Sequence, residues 1–542
     1  MKTMIYSLAL AAFMSLGSCN DNDDPILTQK DWDGTATYFA STDEQFTTYY
    51  KPYVGYVASA DAMKFDTYYK PSVGYVGDPM PFYDPIEQNF KILYLQEFRP
   101  NQEATYHPIW GVSTKNVDSY QSLGEVISTG NASEADAAIG TGSTIYNDSE
   151  KLYYTFYTGH TANQEVVMMA TSSDFKTWTK SKIFYLQGND YGYSVKDFRD
   201  PFVFKGDDGI YHMIVSTMQG TKGVLAEFVS SDLKSWEHKG VFMSMMWDRF
   251  YECPDVFKMG DWWYLVYSEK HVAIRKVQYF KGRTLDELKA CTANDAGKWP
   301  DDHEGLLDSR AFYAGKTASD GINRYIWGWC PTREGNNNTA VGAEPNEPQW
   351  AGNLVAHRII QHEDGSLSLG SIQGIDNKFT TVSSLKVMAK SENGVSENAG
   401  KYVLTGNSFV LFNRLNVANK ISFTVKATDK TDKFGFSLAR GIDSKKYYSI
   451  IVNPEDNGNK KKLNFEEQGE EGMGFVPGID GYLFNTPADN EYHVTVYTDN
   501  SVCVVYINDN VAYTNRIYGT QKNCWSINSY EGTIEVSNIE VS

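Results

Sequence analysis

Three acidic residues each open a short apolar run at intervals that follow one repeat. They are Asp78 in Val-Gly-Asp-Pro-Met-Pro-Phe-Tyr, Asp200 in Phe-Arg-Asp-Pro-Phe-Val-Phe, and Glu252 in Tyr-Glu-Cys-Pro-Asp-Val-Phe. Each stands one or two positions before a proline. A lone Asp-Pro usually just starts a turn. Three such acids in phase with a repeat are brought together in space, and a pair of carboxyl groups flanking a bond is what glycosidic cleavage needs. One group must stay protonated as the acid while its partner stays ionised, a split that burial and neighbouring charge can set. Glu252, with its longer reach and the company of Tyr251 and Cys253, is predicted as the general acid/base. Asp78 is predicted as the nucleophile. Asp200, next to Arg199, is predicted to stay ionised and to stabilise an oxocarbenium-like state.

The elements that must position these acids are short β-strands. Ser172-Ser-Asp-Phe-Lys-Thr-Trp178 returns as Ser230-Ser-Asp-Leu-Lys-Ser-Trp236, with a weaker copy at Ser113–Tyr120; Trp236 follows Trp178 by 58 residues, as Trp178 follows Tyr120. Regular recurrence of β-rich units predicts propeller blades of about four strands. Unit starts are expected near 78, 140, 200, 252 and 308, with strands over 151–157, 165–171, 211–216 and 224–230. The first strand of each blade should line the central channel and ring one mouth with the carboxylates. Beyond about residue 370 the rhythm changes, and 421–427, 447–453, 492–497 and 502–508 alternate like sandwich strands. The fold class expected is therefore all-β: a five-bladed β-propeller over 46–370 and a C-terminal β-sandwich over 380–542. Before the first carboxylate, Thr48–Tyr56 nearly repeats as Thr67–Tyr75, a duplicated strand that would wrap or close the propeller.

The chain has 542 residues, more than one core usually supports, and 14% are aromatic. Its formal charge of −19 argues against nucleic acid, whose phosphates need a basic surface, and suits a neutral substrate. Residues 1–19 read as a bacterial lipoprotein signal: Lys2, an apolar stretch from Met4 to Met14 too short to span a bilayer, then Leu16-Gly17-Ser18-Cys19, with Cys19 as the lipidated residue. The acidic run Asn20–Asp24 opens a tether over 20–45 and resembles a surface-export signal. The chain is accordingly expected on the outer membrane, lipid-anchored and facing outward. Cys253, Cys291, Cys330, Cys503 and Cys524 show neither a disulfide framework nor a zinc spacing, although Cys503 and Cys524 would pair if adjacent strands met.

From about residue 75 onward the chain resembles glycoside hydrolase family 32, the β-fructosidases. Val76-Gly77-Asp78-Pro79 is similar to the family's nucleophile motif, Arg199-Asp200-Pro201 to its stabiliser motif, and Glu252-Cys253-Pro254 to its acid/base motif. Tyr94-Leu95-Gln96, Trp110-Gly111, Gly142-Ser143, Asp308 through Phe312-Tyr313-Ala314, and Trp350-Ala351-Gly352 follow in the family's order. The resemblance implies retention of configuration with no metal or cofactor, and sugar contacts from Gln96, Trp110, Ser143, Arg199, Cys253, Asp308, Tyr313 and Trp350. The family usually has Asn before the nucleophile and Asn-Gly after the proline, where this chain has Gly77 and Met80-Pro81. Those departures, with surface display, point to an endo-acting levanase working on fructan polymer beside glycan-uptake proteins. The competing expectations are an exo-acting fructanase or inulinase, an inverting five-bladed arabinanase or xylosidase, and a non-catalytic glycan-binding lipoprotein.

Overall fold

The repeated Ser-Ser-Asp segments fold into the same turn each time they occur. In the computed structural model Asp174 Oδ1 accepts the backbone N–H of Lys176 and of Thr177 at 2.9 and 2.8 Å, and the Trp178 indole donates to the Phe175 carbonyl at 3.3 Å. The later copy matches it: Asp232 Oδ1 accepts Lys234 and Ser235, both at 2.8 Å, and Trp236 donates to the Leu233 carbonyl. Phe175 and Leu233 take left-handed φ of 60° and 66° and bury their side chains beneath the turn. A short Asp side chain binding backbone donors two and three residues on is the chemistry of such turns. The structure describes residues 65–98, 107–245, 250–269, 276–293, 305–332, 350–440, 446–454, 460–469, 474–475, 482–521 and 524–542.

Five blades follow in chain order. The first comprises Tyr75–Asp84, Asn89–Glu97, Ile109–Thr114 and Gln121–Ile127. The second comprises Ala138–Asn147, Leu152–His160 and Glu165–Ser172, with the short strands Thr179–Lys180 and Leu186–Gln187. Phe198–Lys205, Tyr211–Gln219, Lys222–Ser230 and Glu237–Ser244 form the third, and Tyr251–Met259, Trp262–Glu269 and Val277–Gly282 the fourth. The fifth holds Tyr313–Ser319, Arg324–Pro331, Gly352–Gln361 and Leu367–Gly370. Its inner strand starts at Tyr313, five residues past the Asp308 start read from sequence, because Ser309–Phe312 forms a turn first. The five inner strands touch in a closed ring, 1 to 2 to 3 to 4 to 5 and back to 1, and Val76 pairs with Gly352 to join the first and last sheets. Closure removes exposed sheet edges around the axis.

The C-terminal unit is a sandwich of two antiparallel sheets. Its strands Ala418–Ala427, Lys446–Pro454, Glu491–Asp499 and Val502–Ile507 cover the four alternating runs, and their inward residues form one apolar core. Cys503 and Cys524 belong to different sheets and are free thiols, so the pairing allowed by the sequence does not form. Thr67–Tyr75 straps the two units together. The Thr67 and Tyr68 N–H groups donate to Asp499 at 2.7 and 3.0 Å, and Leu354 N–H donates to the Tyr69 carbonyl. The earlier copy Thr48–Tyr56, the signal segment with Cys19 and the 20–45 tether lie outside the described residues.

Candidate active site

Every inner strand carries a β-bulge at the same mouth. Gly77-Asp78 face Leu95, Asp200-Pro201 face Val215, Cys253-Pro254 face Tyr267, and Ala314-Gly315 face Gly328, two residues against one; Thr141 is the extra residue of the second blade. Bulges bend a strand and re-aim its side chains. Asp200, Cys253 and Ala314, the leading bulge residues of their blades, have φ of 59°, 53° and 55°. Pro201 and Pro254 are tolerated here because a bulge residue donates nothing to the ladder. The three acids occupy three different places on this common device. Glu252 precedes its bulge, Asp200 leads one, and Asp78 is second in another. That offset shifts each acid by a residue or two against its bulge, and the uneven spacing of the acids comes from blades of unequal length.

Each acid is held differently. Asp78 Oδ1 accepts the Trp329 indole N–H at 2.7 Å. Glu252 accepts the Tyr313 hydroxyl at 2.8 Å on one oxygen and Arg199 at 3.1 Å on the other. Asp200, only 4% exposed, accepts the Thr141 hydroxyl and the Cys253 N–H, and its own N–H donates to the Thr158 hydroxyl at 2.9 Å. Trp329 and Tyr313 meet edge to face at 5.5 Å, so Asp78 and Glu252 hang from one aromatic pair. Cys253 sits among all three: its N–H donates to Asp200, it follows Glu252 in the chain, and it packs with Tyr313 and Trp329, the donors to Glu252 and Asp78, while burial and the charges of Asp200, Asp78 and Glu252 push its thiol well up.

Arg199 differs from the sequence reading. It turns from Asp200 toward Glu252 and Glu165, at 3.1 and 2.9 Å, with its guanidinium over the Phe250 ring. Burial alone would lower its pKa, but Glu252, Glu165 and Asp200 outweigh burial and raise it, so the cation is permanent. Burial also holds the Glu165 carboxyl above its usual range despite Arg199. Asp200 takes its hydrogen bonds from Thr141 and Cys253 in place of its sequence neighbour.

The remaining expected contacts divide. Tyr313, Arg199 and Cys253 belong to the carboxylate cluster, and Trp350 borders it through a Trp329 contact at 6.4 Å. Trp350 also explains Gly77: a Cβ there would lie 2.4 Å from Trp350 Cη2 and 2.8 Å from the Leu95 carbonyl. Gln96 is fully buried beside Val76 and spends its amide on the Val73 carbonyl at 2.7 Å. Ser143 ties two inner strands, donating to Pro201 O and accepting Val203 N–H. Trp110 packs edge-on against Phe98 within the propeller core. Asp308 is displaced altogether. It is 0% exposed at the seam with the sandwich, bound by His357 at 3.0 Å and by the Thr514 N–H and hydroxyl. The fifth blade's bulge, not Asp308, faces the mouth.

Residues absent from the sequence reading complete the site: Trp329, Thr141, Thr158 and Glu165. Trp327 and Trp329 stand two apart on one strand and so share a face, but nothing local says that the second indole reaches a carboxylate. His107 was also not anticipated; it stacks on Trp350 at 4.6 Å and pairs with Glu97 at 3.0 Å.

Known proteins match this arrangement in sequence and in fold. The N-terminal domain model of glycosyl hydrolases family 32 matches residues 68–370, and the model described as GH32, BT1760-like, C-terminal domain matches 365–541. The beta-fructofuranosidase, insoluble isoenzyme CWINV2, of Arabidopsis thaliana is 28% identical over 235 residues, 39% of each chain. Sucrose-6-phosphate hydrolase of Vibrio alginolyticus is 32% identical over 187 residues, 31% of this chain and 35% of that one. The chain thus matches under two-fifths of the length of these two relatives. The GH32 beta-fructofuranosidase of Bombyx mori superposes with a TM-score of 0.63 at 16% identity, over 95% of this chain and 98% of that one. With a propeller-domain model covering more than half its length, this chain belongs to glycosyl hydrolase family 32.

Proposed function

We propose that the protein is a retaining β-fructosidase acting on fructan polymer, cutting levan internally at the cell surface. The observation that carries the reaction is the grouping of Asp78, Asp200 and Glu252 around Cys253, two of them reached by solvent and each held by fixed donors. Asp78, oriented by Trp329, attacks the anomeric carbon of a fructosyl unit. Glu252, oriented by Tyr313, gives its proton to the leaving oxygen, then takes one from the water that releases the covalent fructosyl-enzyme. Asp200 contributes fixed negative charge beside the oxocarbenium-like state. Arg199 stabilises the ionised form of Glu252, the form needed in the second half of the cycle.

Internal cutting is supported by the residues around the nucleophile. Position 77 carries no side chain, and Met80 turns inward to accept the Gly142 N–H, so neither supplies the polar groups that would close off a terminal sugar. Surface display rests on the leader ending at Cys19 and the acidic residues after it. Outer-membrane anchoring would place the site where long polymers arrive.

Early products from levan and from inulin test this reading. Oligosaccharides of several lengths from levan are expected; release of fructose alone would remove internal cutting, and inertness toward levan would remove the substrate. Proton NMR of the first-formed anomer should show retention, whereas inversion would favour the arabinanase-type alternative.

A further inference from the structure

One layer beneath the bulges lies a ring made by the first paired residue after each: Pro79, Gly142, Phe202, Asp255 and Lys316. Lys316 is 1% exposed, although a lysine is almost never fully buried without a partner. It leaves the fifth blade and donates to the Gly142 carbonyl of the second at 2.7 Å. Those blades are not neighbours in the ring, so the side chain crosses the axis. On its way the ammonium lies 5.5 Å from the Phe202 ring centroid of the third blade. The Gly142 N–H is held in turn by Met80 of the first blade.

We propose that Lys316 is a positioning residue for the reaction: its ammonium closes the propeller axis directly under the carboxylates and balances their charge, so that three acids can share one mouth. The proposal rests on the β-fructosidase reading above. The ionisable groups on the strands packed around the axis here are Asp78 of the first blade, Asp200 of the third, Glu252, Cys253 and Asp255 of the fourth, and Arg324 of its own blade, and of these Cys253 and Asp255 feel Lys316 directly. The second blade offers only Thr141 and a carbonyl. Cys253 feels Asp200, Asp78, Lys316 and Glu252 together, and Lys316 is the first paired residue after the Ala314-Gly315 bulge, one layer under the bulges that hold the acids. Asp255 does not neutralise it alone. Burial pushes that carboxyl up, Arg324 and the Thr317 N–H oppose burial ahead of Lys316, and Asp255 Oδ1 has no hydrogen-bond partner. Two cations against one buried carboxylate leave positive charge to spare beneath the site.

The test is the pH dependence of kcat/KM for fructan hydrolysis by Lys316→Met, Lys316→Gln and Lys316→Arg. Removing the charge makes every carboxylate above harder to ionise, so the bell should move to higher pH, its acid limb by about one unit, in both neutral variants. Lys316→Arg should leave the limbs in place. Lys316→Gln keeps a donor for the Gly142 carbonyl, and stands in if Lys316→Met does not fold by circular dichroism and thermal melting. A purely architectural lysine would lower kcat/KM equally at all pH. Folded neutral variants with wild-type limbs overturn the proposal. A wild type inert toward levan, inulin and sucrose is a different failure: it removes the functional reading and this inference with it.

Discussion

Two acid sites of the propeller, one at the seam with the sandwich and one at the mouth, show by contrast what separates a carboxylate open to substrate from a structural one. At the seam with the sandwich, Asp308 is sealed from solvent and its oxygens are taken by His357, the Ser309 N–H and both polar groups of Thr514. At the mouth, Glu252 keeps 19% of its side chain exposed between Tyr313 and Arg199, and Asp78 is also partly exposed. Both acids stand near the head of a blade and look alike in sequence. The seam acid is satisfied by the protein and can only hold the two units together. The mouth acids are oriented on one side and open on the other, where a substrate can come.

The comparison can be broken most sharply at Asp78. Asp78→Asn keeps the shape and removes the nucleophile, and should lower kcat by about ten-thousandfold or more with binding retained. Measured hydrolysis near wild type would place Asp78 with the structural acids. Next is Asp308→Ala, which takes the acceptor away from His357 Nε2 and from the Thr514 N–H and hydroxyl in a dry seam. Leaving buried donors without their acceptor should cost roughly 1–3 kcal/mol each in stability, read by denaturant unfolding, with kcat near wild type in the folded fraction. A large fall in kcat without loss of stability would bring Asp308 back to the sugar.

Trp329→Phe sharpens the distinction within the mouth. It deletes one hydrogen bond to a charged group, worth about 1.5–3 kcal/mol, and should lower kcat/KM roughly ten- to a hundredfold with little change in the thermal midpoint. The smallest effect lies far from both acids. Asp174 is pulled down to about 2 by the Thr177 and Lys176 N–H groups of its turn. Its pKa is depressed in the fold, so its stabilisation is present above the unfolded value of about 4 and fades as the pH falls toward 2. The difference in thermal midpoint between wild type and Asp174→Asn should therefore be largest near neutrality, shrink below pH 4 and close only as the pH falls through about 2. A difference undiminished between pH 6 and pH 2 would contradict the turn mechanism.

Much of this was readable from residue order. The Ser-Ser-Asp turns needed only local chemistry, so their copies announced the blades. Strand alternation found the sandwich runs for the same reason. Side-chain direction at the mouth was not readable, because each bulge adds one residue and resets the alternation. Arg199 shows this: beside Asp200 in sequence, it points across to Glu252 and Glu165. Lys316 and Trp329 are equally silent in sequence, since a lysine and a tryptophan in a strand usually mean a solvated face and a core.

The sequence by itself determined the all-β class, the repeat and the identity of three acids, because turns, alternation and Asp-Pro punctuation are local properties. Only the tertiary structure decided which acids share the mouth, what orients each, and that a buried ammonium underlies them. Those outcomes depend on closing five sheets into a ring, which brings residues hundreds of positions apart within hydrogen-bond reach.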